Sequence, residues 1–239
     1  MSGHLQSRAV YRLAGLLLVP FAVAITRTLI MLVQGFGVDS TWGLPPAAWA
    51  MSGGFLLWLF VFITLPRPMK TYVLAHELTH ALWAWCSGAK VSNLRIRSGS
   101  GSVVVSHSNL MITLAPYFFP LYTIIALLIY GLLGIWIDLR PWYLFWLALV
   151  GFTWSFHVTF TIASLMHYQS DIDDYGWLFS YVVIYIVNLF GLAAWVVAVG
   201  DPTLSQAARH FAAGTWAVWH WCWIGAWHWG RLAYNKLAA

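Results

Sequence analysis

Residues 72–85 read Tyr-Val-Leu-Ala-His-Glu-Leu-Thr-His-Ala-Leu-Trp-Ala-Trp, an apolar stretch that contains one His-Glu-x-x-His motif. The stretch predicts an α-helix, on which residues i and i+4 share a face, so His76 and His80 are expected to bind one metal ion together. Glu77 then stands close enough to deprotonate a metal-bound water. Glu77 is the single glutamate of the chain, and the motif would arise by chance in about 0.1% of chains of this composition. The alternative is a polar stripe that makes only helix contacts.

The composition indicates a membrane protein. The chain is 61% hydrophobic and 8% charged, with a mean hydropathy of +0.74, far outside the range of soluble proteins. Apolar runs long enough to cross a bilayer are predicted at residues 13–35, 46–65, 111–137, 141–166 and 176–199. Together with the shorter motif segment, residues 71–87, they make about six hydrophobic helices. We therefore expect an all-α polytopic protein in the lipid bilayer of a bacterial inner membrane, with an organellar membrane as the alternative.

Charge and cysteine content exclude two further classes. The net charge is +5, but the basic residues occur singly or in twos in short connections, so nucleic acid is not an expected partner. Cys86 and Cys222 are far apart in apolar surroundings, which excludes a disulfide framework and a cysteine-rich zinc site.

A small β-hairpin is predicted between Gly88 and His107, directly after the motif helix. Residues 91–97 alternate in polarity, residues 98–102 are Ser and Gly, and residues 103–105 are three valines. An exposed strand edge there would accept an extended peptide through backbone hydrogen bonds. A plain connecting loop is the alternative.

Residues 1–200 form the predicted membrane-embedded domain, and residues 201–239 form a C-terminal segment rich in tryptophan and histidine. These side chains are Trp216, Trp219, Trp221, Trp223, Trp227, Trp229, His210, His220 and His228. Four of the tryptophans, at 216, 219, 223 and 227, recur at helical spacing and predict one aromatic face. We expect an interfacial helix, with a further span over residues 211–230 as the alternative.

Two histidines leave the metal site incomplete, because catalytic zinc usually takes three protein ligands and a water. A glutamate third ligand is impossible in this chain, and Trp83 and Cys86 exclude the longer metzincin motif. The third ligand is therefore an aspartate or another histidine. The aspartates are Asp39, Asp138, Asp171, Asp173, Asp174 and Asp201. Three of them, within residues 171–174, precede an apolar span, where a carboxylate also caps helices.

The motif helix, the hairpin after it and an aspartate that begins a later span resemble the site-2-protease family of intramembrane zinc metalloproteases. In that family the two motif histidines and a distant aspartate bind zinc, and the glutamate is the general base. Members cut membrane-spanning or membrane-proximal segments of other proteins. The resemblance covers roughly residues 70–180. It implies a Zn²⁺ cofactor, a catalytic Glu77 and a membrane-protein or peptide substrate.

The usual aspartate motif of the family, Asn-x-x-Pro-x-x-x-x-Asp-Gly, is absent from this chain. A looser subgroup has a Ser-Asp dipeptide ahead of its last spans, and Ser170-Asp171 matches it. Asp171 is therefore the expected third ligand, and Asp174 is the alternative. Residues 114–120, Leu-Ala-Pro-Tyr-Phe-Phe-Pro, resemble the proline-broken segment that follows the hairpin in such proteins.

Three further polar residues are candidates for contacts with the site or the substrate. His157 lies fourteen residues before Asp171, near four helical turns, and faces either the site or a hydrogen-bond partner inside the bundle. His107 and Asn109, at the end of the hairpin, are candidates for substrate contact.

The membrane topology decides whether Asp171 can reach the histidines. If residues 71–87 cross the membrane fully, His76 and Asp171 start on opposite faces. If the motif helix and the hairpin enter and leave by one face, Asp171 returns to the side of His76. We expect this re-entrant arrangement, because irregular backbone is tolerated in a membrane where it lines a protein cavity.

Two other functions compete with proteolysis. The first is a non-catalytic membrane scaffold or chaperone that retains the zinc site, against which the intact Glu77 argues. The second is a transporter in which the motif handles metal ions or protons, which would need more intramembrane charge than this chain has. No oligomeric state is predicted.

Overall fold

The computed structural model describes residues 2–35, 43–97, 99–200 and 202–237, with side chains from residue 8 onward. The elements in chain order are α1 (Ser2–Gln34), α2 (Pro46–Thr64), α3 (Met69–Cys86), β1 (Val91–Arg97), β2 (Ser100–Val105), α4 (Leu110–Leu114), a 3₁₀ turn (Ala115–Tyr117), α5 (Leu121–Leu133), a second 3₁₀ turn (Arg140–Trp142), α6 (Tyr143–Leu165), α7 (Ser170–Tyr175), α8 (Trp177–Val199) and α9 (Leu204–Leu237). Asp39 and Asp201, two of the aspartates considered as ligands, lie outside the described residues. The expectation of an all-α protein with a small hairpin after the motif helix is confirmed.

Four segments are long and apolar enough to cross a membrane, namely Arg8–Gln34, Pro46–Thr64, Arg140–Leu165 and Trp177–Val199. The pair Leu110–Tyr117 and Leu121–Leu133, bent by 85°, makes a fifth if it counts as one broken span. These segments correspond to the five long runs predicted from the sequence. The motif helix α3 does not qualify as a span, so the described residues contain four or five candidate spans rather than six. They indicate a multi-pass membrane protein.

The chain divides into two units, residues 44–177 (the central unit) and residues 1–43 with 178–239 (the terminal unit). His76, His80, Asp171 and the alternative ligand Asp174 lie in the central unit, and the tryptophan-rich segment lies in the terminal unit. Each unit has its own helix packing.

In the central unit, α2 and α6 lie side by side and parallel. The rings of Trp58 and Phe62 contact those of Phe156 and Phe160, in the same order along both helices. The approach is closest at Gly54, where a Cβ would overlap a backbone carbonyl of α6. Small residues at such a crossing let membrane helices pack backbone to backbone. The two helices therefore finish at the same end of the unit, named here the site end.

The motif helix α3 begins at the site end, and the hairpin folds back over it. In the first turn of α3, the ring of Tyr72 stacks on Phe160 near the end of α6, with ring centroids 4.7 Å apart. β1 and β2 pair antiparallel, so β1 runs back toward the start of α3, and β2 begins there and ends beside Ala84, near the end of α3. Near the start of β2, the backbone at Gly101 approaches the side chains of Val73 and Glu77.

The chain then leaves the site through a broken helix. α5 runs antiparallel to α6, since Thr123 Oγ1 donates to Thr153 Oγ1 at 3.1 Å and the rings of Tyr130 and Trp146 lie 5.4 Å apart. The 85° bend that precedes α5 lies in residues 118–120, which end in a proline. α5 thus leads from the middle of α6 to the end opposite the site end. α6 returns to the site end, so α7, which follows it, lies beside α3.

In the terminal unit, the C-terminal segment forms one helix, α9, of 34 residues and about 51 Å. It lies antiparallel along α1, because Trp219 contacts Phe21 and Gly214 lies against Ala24. Gly214 and Val218 are buried, whereas these tryptophans are exposed: Trp216, Trp221, Trp223, Trp227 and Trp229. α1 is a candidate span, whereas α9 is not among the helices that are long and apolar enough to cross a membrane, so the interfacial helix stays a prediction.

Candidate metal centre

Three atoms of metal-ligand type meet at the site end. His76 Nε2 and His80 Nε2, on one face of α3, lie 3.2 Å apart. Asp171 Oδ2, in α7, is 3.5 Å from the first nitrogen and 3.4 Å from the second. Within the described ranges, this is the one group of His, Cys, Asp and Glu side chains arranged to hold a metal ion. The structure thus brings the expected third ligand to the motif histidines, as the re-entrant arrangement requires.

The triangle has the dimensions of a tetrahedral zinc site. Zinc–nitrogen and zinc–oxygen bonds of about 2.0–2.1 Å, at the tetrahedral angle, separate two ligand atoms by about 3.3–3.4 Å. The three separations here, 3.2, 3.4 and 3.5 Å, fit that geometry. Structural zinc sites have four protein ligands, whereas catalytic sites have three and a water. The donor set therefore fits Zn²⁺ with one position left for water.

Hydrogen bonds behind the imidazole rings orient both histidines. His80 Nδ1 lies 2.7 Å from the carbonyl oxygen of Ile112, so this nitrogen bears the hydrogen and donates it. In the neutral ring, the His80 Nε2 lone pair then faces the triangle. The hydroxyl of Tyr72 lies 3.4 Å from His76 Nδ1 and supports that ring in the same way.

Electrostatics distinguish Asp171 from the alternative ligand Asp174. Burial works to raise the pKa of Asp171, but in the metal-free site His76 and His80, when they are protonated, hold this pKa well below the ordinary value of a carboxyl group through their hydrogen bonds and charges. Burial first, and then the charges of Asp171 and Asp173, raise the pKa of Asp174. Asp174 lines the same cavity but is not in the ligand group. Asp171 is thus the carboxylate that is stabilised as an anion beside the histidines.

Glu77 lies between the metal triangle and the hairpin. It lines a cavity of about 720 Å³, whose walls include the three ligand residues and residues 99–103 of the hairpin. Glu77 is 7% exposed, and a Cβ built on Gly101 would lie 2.5 Å from its Cγ. Ligand pockets typically have volumes of about 300–1,000 Å³, and this cavity lies within that range.

His157, His107 and Asn109, the further candidates for contact with the site or the substrate, do not line this cavity. His157 lines a separate space of about 20 Å³ behind His76, enough for one water. His107 is exposed just after the hairpin. Asn109 caps α4, since its side-chain oxygen accepts the backbone N–H of Ile112 at 2.9 Å. Asn109 therefore helps to place the Ile112 carbonyl that orients His80.

Two residues at the centre have no separate signature in the sequence. Tyr117, in the 3₁₀ turn after α4, donates its hydroxyl to Asp171 Oδ2 at 3.0 Å. The backbone of Gly101, in β2, lies so close to Glu77 that a Cβ at this position would overlap the glutamate side chain. The prolines around Tyr117 predict a break in the helix, but they do not predict which side chain its hydroxyl reaches.

Comparison with known proteins does not add an assignment. No family model, curated protein or solved structure matches this chain. The functional interpretation therefore depends on the residues and geometry described above.

Proposed function

We propose that this protein is an intramembrane zinc metalloprotease, which hydrolyses a peptide bond within or near a membrane-spanning segment of a protein substrate. The main support is the triangle of His76, His80 and Asp171, whose separations suit tetrahedral zinc. Glu77 lines the same cavity. Two histidines and a carboxylate beside a free glutamate are the ligand set and base expected of a zinc peptidase.

Zinc and the side chains of the site have different roles in the proposed hydrolysis. Zinc, when bound, lowers the pKa of a coordinated water and polarises the scissile carbonyl. The Glu77 carboxylate takes the proton of the attacking water and later gives it to the nitrogen of the breaking C–N bond. One water is consumed, and a carboxylate and an amine are released. His76, His80 and Asp171 would bind the zinc ion, and the reaction leaves them unchanged.

The surroundings of the site suit a peptide in extended form. A helical substrate must first unwind, because its carbonyls are hydrogen-bonded within the helix. β2 lines the cavity, so a peptide that pairs with β2 would pass beside Glu77. The four or five candidate spans support a location in a membrane, and a membrane-spanning segment of another protein is therefore the substrate that we propose.

The experiment is a comparison of protein N-termini in membranes from cells that produce the wild type or Glu77→Gln. The amide cannot accept the proton, but Glu77 is outside the ligand group, so the variant should keep its zinc. We expect about one zinc per chain in both proteins, with new N-termini in or beside membrane-spanning segments only for the wild type.

The same experiment separates the competing functions. Cleavage retained by Glu77→Gln would sink the role of Glu77 as base. A scaffold would bind zinc in both proteins and produce no N-termini that depend on Glu77. A transporter would instead move zinc or protons into vesicles that contain the purified protein.

A further inference from the structure

Tyr117 occupies an unusual place in the central unit. It ends the 3₁₀ turn Ala115–Tyr117, just before the bend that leads to α5. Its side chain is 0% exposed although it has a polar hydroxyl. A buried hydroxyl needs a hydrogen-bond partner, because leaving it without one costs stability. The hydrogen-bond partners of the Tyr117 hydroxyl therefore indicate the role of this side chain.

The side chain of Tyr117 touches two of the three ligand residues. Its hydroxyl lies 3.0 Å from Asp171 Oδ2, the oxygen that also faces both imidazoles, and 3.3 Å from Gln169 Oε1. Its ring meets the imidazole of His76 edge to face, with centroids 5.2 Å apart and an angle of 85° between the planes. Tyr117 thus bridges α3 and α7, which are far apart in sequence.

Asp171 has the weakest local support of the three ligands. The histidines lie on a helix of 18 residues, whereas Asp171 lies in the six-residue α7 and its side chain is 24% exposed. A short helix in a connection restrains its side chains poorly, so the carboxylate needs an additional restraint. A carboxylate oxygen has two lone pairs, so Oδ2 can accept the Tyr117 hydrogen bond and still face a metal ion.

We propose that Tyr117 is a positioning residue of the metal centre: its hydroxyl holds the Asp171 carboxylate in the orientation that ligates zinc, and its ring braces His76. This inference rests on the zinc site of the proposed function, but not on proteolysis. Partners that orient metal ligands change metal affinity by about 10- to 100-fold when they are removed.

The test uses Tyr117→Phe, which removes the hydroxyl and keeps the ring against His76. Zinc affinity is measured on detergent-purified full-length protein by competition with a chelating dye, and the absorption spectrum is recorded after Co²⁺ is substituted. Tyr122→Phe is the matched control, because the Tyr122 hydroxyl donates to the backbone carbonyl of Thr71 at 2.8 Å and not to a ligand. Thermal unfolding of the metal-free proteins is measured in parallel.

We expect zinc to bind Tyr117→Phe about 10- to 100-fold more weakly, with a changed Co²⁺ spectrum, and Tyr122→Phe to match the wild type in both. Equal affinity of Tyr117→Phe and the wild type would overturn the inference, as would an equal loss in both variants. A wild type that binds neither metal would overturn it together with the zinc site. Zinc binding without any cleavage would refute the protease and leave the role of Tyr117 intact.

Discussion

Substituting Gly101 with alanine should disable the catalytic base and leave the metal site in place. Gly101 lies in β2, directly over the glutamate. A Cβ at this position would lie 2.5 Å from Glu77 Cγ, 2.6 Å from Glu77 Oε1 and 2.7 Å from Val73 Cγ1. Ordinary contacts between carbon atoms are about 3.5–4.0 Å, so the Glu77 side chain or the strand must move by about 1 Å.

That movement affects both stability and the rate of cleavage. The overlapping atoms belong to Glu77 and Val73, which are both buried, so the loss of unfolding free energy should be about 1–3 kcal/mol, as for an extra methyl group in a packed interior. A displacement of about 1 Å in a catalytic group costs about 100-fold in rate. We therefore expect Gly101→Ala to cleave about 100-fold more slowly while it keeps one zinc per chain.

The assay is the rate of cleavage of one peptide taken from the comparison of N-termini, measured together with zinc content and thermal unfolding. Gly131→Ala is the control, because a Cβ at Gly131 meets nothing within 4 Å. Wild-type activity in Gly101→Ala would refute the contact between β2 and Glu77. Loss of zinc together with activity would also refute the reasoning, because the substitution would then have disrupted the whole centre.

Two further pairs of variants test the site and the fold. Asp171→Ala should lose zinc, whereas Asp174→Ala should keep about one zinc per chain, because only Asp171 faces both imidazoles. The zinc content of the purified proteins is measured by elemental analysis. Zinc retained by Asp171→Ala would contradict its assignment as the third ligand. Gly54→Ala should lower the stability in detergent by about 1–3 kcal/mol, because its Cβ would overlap the Ala148 carbonyl oxygen of α6. Gly53→Ala, where a Cβ meets nothing within 4 Å, should be neutral or slightly stabilising, and equal thermal unfolding of the two variants would contradict the close approach of α2 and α6.

The sequence predicts those parts of the site that follow from local periodicity. The spacing of His76 and His80 determines that they share a face once the stretch is helical. The serines and glycines between alternating residues predict the hairpin, which the structure contains at Val91–Arg97 and Ser100–Val105. In both cases the relevant residues are close in the chain, so backbone geometry alone relates them.

Contacts between distant segments are less predictable. The hydrogen bond from Tyr117 to Asp171 and the approach of Gly101 to Glu77 depend on where whole elements pack, which no local pattern encodes. The sequence predicts Asp171 itself only through a resemblance and the expected re-entrant arrangement. The C-terminal helix presents another difficulty, because its many tryptophans and histidines suit an interface as well as a packed span.

The packing of the central unit explains why His76, His80 and Asp171 meet and what the proposed hydrolysis would require. α2 and α6 are parallel, so α3 and α7, which follow them, both begin at the site end. α3 is not a full span, and α5 lies only along the half of α6 away from the site end. We therefore infer that α3 and α5 together make one crossing of the membrane, and that the hairpin and the cavity occupy the space between them. The cavity lies at the site end of the central unit, and the hydrolysis proposed above needs water to reach it. Hydroxyl groups along the cavity provide a polar route for water, and they belong to Ser100, Ser102, Ser108, Ser164 and Ser170.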